Sequence, residues 1–272
     1  MKFLTDMHTH TSFSPDADDR AEDMLLAAQK KGLAFYGISD HFEFDYNLLK
    51  MPKEVVSAYL NLDEEEYFHT LRHLQEDYEG VMNVAVGAEF GYTENEKVRG
   101  RYALICEKYR PDFVINSVHG GDGLDFAFQS FTEDKKSVYG AYLALVRKSL
   151  EVSYPYDIVG HLGYIARYVP FEDKSFAGFE KEIDDILTAI IQKGKILEVN
   201  TAVKGLKQAT LPSEDILKRY FALGGRMVSL GSDAHNTGRI AEGREKAVEV
   251  LKSIGFTYAT VPFKGEYVKV EL

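Results

Sequence analysis

The sequence predicts an α/β protein, a closed barrel of seven parallel strands alternating with helices. Three observations carry this prediction. Short apolar runs alternate with amphipathic stretches along the whole chain. Six of the eight histidines come just after such a run ends in a turn, four of them within two residues of a carboxylate or another histidine. The length, 272 residues, suits one barrel of the usual ~250. An open doubly wound sheet gathers its ligand at one switch point. Here candidate ligands follow six of the seven strands, which requires a ring whose strand ends converge.

Taken in order, the apolar run 3–7 is the first strand and leads into His8, Thr9 and His10. Residues 20–31 read as a helix with Met24, Leu25 and Ala28 inward, stopped by Gly32. The second strand, 36–39, leads to Asp40 and His41. A helical insertion at about 43–80 follows, with one or two helices from residue 50 onward, the clearer at 63–78. The third strand, 83–88, ends at Glu89, and 94–109 is its helix. The fourth, 112–118, precedes His119, with a helix over 135–150. The short fifth strand, 157–160, meets His161 and is followed by a helix over 176–193. The sixth spans 196–200, and its helix, 213–223, opens at Pro212-Ser213. The seventh, 226–230, precedes Asp233 and His235, and the last strong helix is 243–254. Residues 257–262 and 267–270, around Lys264-Gly265, close the chain as a hairpin. With no repeat, low-complexity segment or linker, residues 1–272 are expected to form one domain.

Composition narrows the function. Hydrophobic residues make up 45% and charged residues 28%, as in globular proteins. A formal charge of −11 argues against a nucleic-acid surface, and bound cations would neutralise part of it. No run approaches the ~20 apolar residues of a membrane span, and the N-terminal MKFLTDMHTH reads as neither signal peptide nor anchor. A cytoplasmic location is expected. The single cysteine, Cys106, excludes an intramolecular disulfide and sits in an apolar helical stretch as a packing residue.

The chemistry lies in the strand-end residues. His8 and His10 share a side by the strand's period of two, and so do Asp233 and His235. Glu89 emerges from an apolar strand, where a carboxylate is costly unless paired or coordinated. Imidazoles and carboxylates converging on one barrel face are what a metal cage requires. His69 and His73, spaced i, i+4 without an intervening glutamate of the H-E-x-x-H kind, read as a solvated helix face. No G-x-S-x-G elbow, Walker loop or G-x-G-x-x-G is present, and the thiol has no evident partner.

The order HTH, an acid eight residues after the first histidine, SDH, GAE, SVH, GH and SDAH resembles the PHP (polymerase and histidinol phosphatase) superfamily. Length, the insertion between His41 and Glu89, and residues 197–201 are most similar to its monofunctional histidinol-phosphate phosphatases. The resemblance implies a distorted (β/α)7 barrel with two to three divalent transition metals (Zn, Mn or Fe) at the C-terminal strand ends. It implies that His8, His10, Glu89 and Asp233 hold one metal. Glu89 bridges to a second with His119 and His161, and Asp16, His41 and His235 hold a third, with His41 also facing substrate. Arg167 is the implied phosphate clamp. Lys204 or Lys207 would stand in for the family's second, an arginine, without its bidentate fork. The implied reaction is hydrolysis of a small phosphate ester, L-histidinol phosphate, by a metal-activated water, with Asp16 or His235 protonating the leaving alcohol. Glu43, Asp45, Tyr46, Asp122 and Asp125 are candidates to read the cationic alcohol. Another small phosphomonoester, a nucleotide, or a metal-binding module without turnover are the alternatives. Oligomeric state is not legible.

Overall fold

The computed structural model describes residues 4–272; Phe3, expected to open the first strand, lies outside the described residues. In chain order the elements are β1 (Leu4–Asp6), α1 (Ala21–Lys30), β2 (Leu33–Ile38), β3 (His41–Phe42), α2 (Lys53–Leu60) and α3 (Glu64–Asp77). Then come β4 (Asn83–Gly91), α4 (Glu96–Tyr109), β5 (Phe113–Ser117), the ribbon β6 (Gly120–Gly121) and β7 (Leu124–Asp125), and α5 (Lys135–Ser149). The last third holds β8 (Ile158–Val159), α6 (Glu180–Gln192), β9 (Ile196–Asn200), α7 (Glu214–Ala222) and β10 (Val228–Gly231). It ends with α8 (Arg244–Ile254) and the hairpin β11 (Tyr258–Phe263) and β12 (Glu266–Glu271).

Seven strands form the parallel barrel in the order β1-β2-β4-β5-β8-β9-β10, with β3 riding on the end of β4. The seam lies between β10 and the chain just past β1. There the Met7 N–H donates to the Leu230 carbonyl (2.8 Å), Asp233 N–H to His8 (2.8 Å) and His10 N–H to Ala234 (2.9 Å). The residues that close the ring are therefore the ones carrying candidate ligands.

The barrel interior holds Met7, Ala85, Phe113, Ile115, Ile158 and Ile196, which meet Val261 and Val270 of the hairpin. Phe113, Ile158 and Ile196 each open their strand, so the hairpin stoppers the N-terminal mouth. Outside, helices lay apolar stripes on the strands, as α6 does with Ile183, Ile186, Leu187 and Ile190.

Most elements fall within a few residues of expectation, and the insertion forms both α2 and α3. Two differences have local causes. The helix expected from residue 176 starts at Glu180, because Gly178 takes a left-handed φ of 88° that no helix accommodates. Strand β4 runs past Glu89 to Gly91, since its end pairs with β3 and β5. Helix α3 is tied to the barrel by the Tyr67 hydroxyl, which donates to Gly87 O and accepts from the Asp40 N–H. Cys106 is half-buried, and burial pushes its thiol up to about 12, in keeping with a packing role.

Phe113 is fully buried between barrel and hairpin. Phe113→Ala is expected to cost about 3–5 kcal/mol, read from the urea midpoint in chelator with unchanged slope. A loss below about 1 kcal/mol would mean the hairpin settles into the space.

Candidate metal centre

Strand alternation and the barrel's taper bring the strand-end side chains into one buried cluster. His41 lies in register with Glu89. Glu89 stands at the centre: Oε1 is 3.4 Å from His8 Nε2, 3.2 Å from His119 Nε2 and 3.0 Å from His161 Nε2. Its Oε2 is 2.7 Å from His41 Nδ1 and 3.7 Å from His10 Nε2. Asp233 Oδ1 lies 3.3 Å from His10 Nε2 and 3.8 Å from His8 Nε2. Asp16 Oδ2, on the solvent side, is 3.2 Å from His235 Nε2 and 3.7 Å from His41 Nε2.

These spacings suit shared cations. Ligand atoms about 2.0–2.2 Å from a tetrahedral ion stand roughly 3.3–3.6 Å apart. His8 Nε2, His10 Nε2, His41 Nδ1 and Glu89 Oε2 are buried without a hydrogen bond, although they face one another. Buried polar atoms left unpaired are costly, and a cation between them would satisfy all four. Close donor groups among the described residues are His8/His10/Asp233, His41/Glu89/His119 and His10/His41/His235.

Without metal, protons take the place of cations. Burial lowers His8 and His119, but Glu198 and Glu89 at His8, and Glu89 and Glu43 at His119, outweigh it and hold both well above the usual range. Burial opposes the charge on His41 too, yet Glu89 and Asp16 push it up to about 9. Burial with His41 and His235 nearby keeps His10 low. Burial favours the neutral acid at Glu89 and Asp233, but the imidazoles hold both carboxyls well below their usual range.

Partners outside the cage fix these groups. Glu198 Oε1 meets His8 Nδ1 at 2.6 Å, and Oε2 accepts from the His161 N–H at 2.5 Å. Glu43 Oε1 meets His119 Nδ1 at 2.5 Å, and the Ser117 hydroxyl donates to Glu89 at 2.6 Å. Asp40, pushed up to about 6 by burial, accepts from the Thr11 N–H and the Ser14 hydroxyl, so it braces the loop after His10. Asp6 accepts from Ser232 and from the Ala241 N–H. The sequence assigned no role to Glu198 or Asp6. A buried acid inside each strand, as at Glu89, was the available signal.

Three comparisons bear on this cluster. A model of the PHP domain matches residues 6–202. The chain belongs to the PHP domain family. It is 29% identical to the histidinol-phosphatase of Lactococcus lactis, covering 92% of this chain and 91% of that one. It is 27% identical to a probable histidinol-phosphatase of Clostridium acetobutylicum, with 91% and 92% covered. The crystal structure of the Lactococcus lactis histidinol phosphate phosphatase, complexed with zinc, L-histidinol and phosphate, superposes with a TM-score of 0.84 at 25% identity. That match covers 99% of this chain and 100% of the other.

The PHP barrel brings together His8, His10, Asp16, His41, Glu89, His119, His161, Asp233 and His235. Arg167 joins them: its guanidinium donates to Asn200 Oδ1 (3.0 Å) and Asp233 Oδ2 (3.1 Å). Lys204 and Lys207 do not join. Asn200 and Leu211 form an antiparallel bridge, and the loop it closes carries both lysines at the surface. Lys204 is exposed there, and Lys207 lines a separate groove with Glu172, Phe176 and Glu214. Among the candidates for reading the alcohol, Glu43 is committed to His119, Asp45 to Thr93 and Asn95, and exposed Asp122 to Lys50. Asp125 and Tyr46 remain. The Tyr46 hydroxyl donates to Asp125 at 2.8 Å, and both line a cavity of about 470 Å³ over Asp16, His41 and His119. Tyr59, Phe128, Tyr164, Tyr168 and the acid Glu54, which sequence reasoning missed, also line it. His69 and His73 stay exposed on α3. No described helix is long and apolar enough to cross a membrane.

Metal uptake must displace protons from His8, His41 and His119. Protonated imidazole cannot ligate, so affinity is expected to rise with pH at least up to about 9, the His41 value. Calorimetric titration of metal-free protein with Zn²⁺, in buffers of different ionisation enthalpy, should show net proton release. Binding should also tighten between about pH 6 and pH 8. Affinity flat across that range would mean that the imidazoles are already neutral.

Proposed function

We propose that this chain is a metal-dependent phosphomonoesterase that hydrolyses L-histidinol phosphate to L-histidinol and phosphate, a cytoplasmic step of histidine biosynthesis. The observation that carries this reading is the cavity walled by tyrosines and Asp125 directly over the imidazole–carboxylate cluster. Two to three divalent ions (Zn, Mn or Fe) would be held by His8, His10, Asp16, His41, Glu89, His119, His161, Asp233 and His235. Bound there, they supply Lewis acidity and bring the pKa of water toward neutrality. The zinc, histidinol and phosphate of the Lactococcus lactis structure support the same reading.

The chain's own groups divide the remaining work. Arg167, held against Asp233 and Asn200, offsets phosphoryl charge as the P–O bond breaks. Where two ions are bound and the third position is empty, Asp16 and His235 would pair at the cavity mouth, and the leaving oxygen would take its proton from that pair. Burial disfavours charge on both, but His41 and His235 hold Asp16 ionised, Asp16 and Asp233 raise His235, and without that ion the shared proton sits on the imidazole. Asp125 supplies negative charge to the amine or imidazolium of histidinol, and the tyrosine rings cover its flat face.

Turnover of L-histidinol phosphate, p-nitrophenyl phosphate and nucleotides tests the assignment, with the first expected to be far preferred. Arg167→Ala is expected to lower kcat/KM for every ester by about 10- to 150-fold, the worth of a charge-assisted contact. Asp125→Asn should impair L-histidinol phosphate and leave p-nitrophenyl phosphate nearly untouched. Equal turnover of nucleotides would move the substrate elsewhere in the family. Arg167→Ala that spared p-nitrophenyl phosphate would place Arg167 with the groups that read the alcohol.

A further inference from the structure

We propose that Glu198 and Glu43 are positioning residues that set how tightly the cage holds its ions, and that Gly231 and Gly91 are glycine because of them. This rests on the reading of the cluster as a metal centre. His8 and His119 belong to different donor groups, His8/His10/Asp233 and His41/Glu89/His119. Each turns Nδ1 away from the cage onto a buried carboxylate, His8 to Glu198 at 2.6 Å and His119 to Glu43 at 2.5 Å. A proton on Nδ1, held by the carboxylate, leaves the Nε2 lone pair facing inward and makes it more basic. For His8 that Nε2 is one of the unpartnered buried atoms.

The backing is selective. His161 Nδ1 has no hydrogen-bond partner, and His10 Nδ1 meets only the Ser14 hydroxyl at 3.3 Å. One imidazole in each of the two groups is thus carboxylate-backed. Glu198 is almost fully buried and also accepts from the His161 N–H and the Asn200 amide, so it orients two of the cage's histidines at once.

Room for these acids comes from the strand ends. Gly91 ends β4, and a Cβ there would overlap the Glu43 carboxylate. Gly231 ends β10, and a Cβ there would overlap Glu198 Oε1 and crowd the His8 Cβ. Neither residue has a positive φ, so the backbone itself would accept alanine. At Gly91 the atoms met first are the movable end of the Glu43 side chain. Gly91→Ala should therefore keep the fold and push Glu43 off His119.

The test uses metal-free full-length protein reloaded with Zn²⁺ alone, its affinity read by competition with a chromophoric chelator. Melting in excess chelator monitors the fold independently of metal. Glu43→Gln, Glu198→Gln and Gly91→Ala are each expected to bind zinc about 10- to 100-fold more weakly than wild type. Glu43→Ala should lose more than Glu43→Gln, whose amide oxygen still accepts from Nδ1–H. Metal-free melting of Gly91→Ala should match wild type. If wild type takes up no zinc, the metal reading fails and this proposal with it. If wild type loads and the Gln variants and Gly91→Ala bind within about 2-fold of it, only the positioning role is overturned. Should Gly91→Ala not fold, the two Gln variants decide alone.

Discussion

A carboxylate without solvent exposure sits near the C-terminal end of a barrel strand, and the surrounding architecture answers to it. Glu89 is fully buried. Removing an ionised acid from water costs several kcal/mol even after relaxation, and only opposite charge with well-made hydrogen bonds offsets that. The Ser117 hydroxyl contributes one hydrogen bond, and five imidazoles lie within 3.7 Å: those of His8, His10, His41, His119 and His161. Those imidazoles come from segments scattered between residues 8 and 161, so no local structure could assemble them. A ring of parallel strands does, because all its C-terminal ends point to one place.

The ring has to close for that convergence to hold, and it closes at the site. The bonds from Met7 to Leu230 and from Asp233 to His8 join the first and last strands at the level of the ligands. A shift of one residue along this seam would turn His8 and His10 out of the cage, since strand side chains alternate. The opposite mouth is sealed by Val261 and Val270 against Phe113 and Ile115, which keeps water from the cage's floor. The two ends of the barrel thereby separate stability from chemistry.

That division explains what could be read from the sequence. The strands, the helices and the strand-end ligands are local patterns: an apolar run, a turn, and a histidine or acid. The helix start at Glu180 escaped because a single left-handed glycine decided it. Glu43 looked like a free acid on a loop, whereas its partner, His119, lies 76 residues away. Glu198 and His8 are 190 residues apart, a pairing that no spacing rule reports. The lysines failed for a related reason. Their loop has the right composition, but the bridge between Asn200 and Leu211 sets its direction.

Charge settles how the two halves of a substrate would be handled. Asp16, Glu43, Glu89, Asp125, Glu198 and Asp233 crowd the cage and its cavity, and no described cavity-lining residue is a lysine or arginine. Arg167 stands beside the cage, but Asp233 already engages its guanidinium. With the imidazoles neutral, as ligation requires, a phosphate anion would meet net repulsion here from the side chains alone. Cations in the cage would reverse that sign, and anion recognition would then fall to the buried ligands and the groups that fix them. On the proposed function, recognition of the alcohol would need no such reversal, because a cationic amine would meet Asp125 and tyrosine faces directly. On that reading, the acidity that makes the pocket unsuitable for phosphate on its own is the acidity that would gather metal and select a cationic partner.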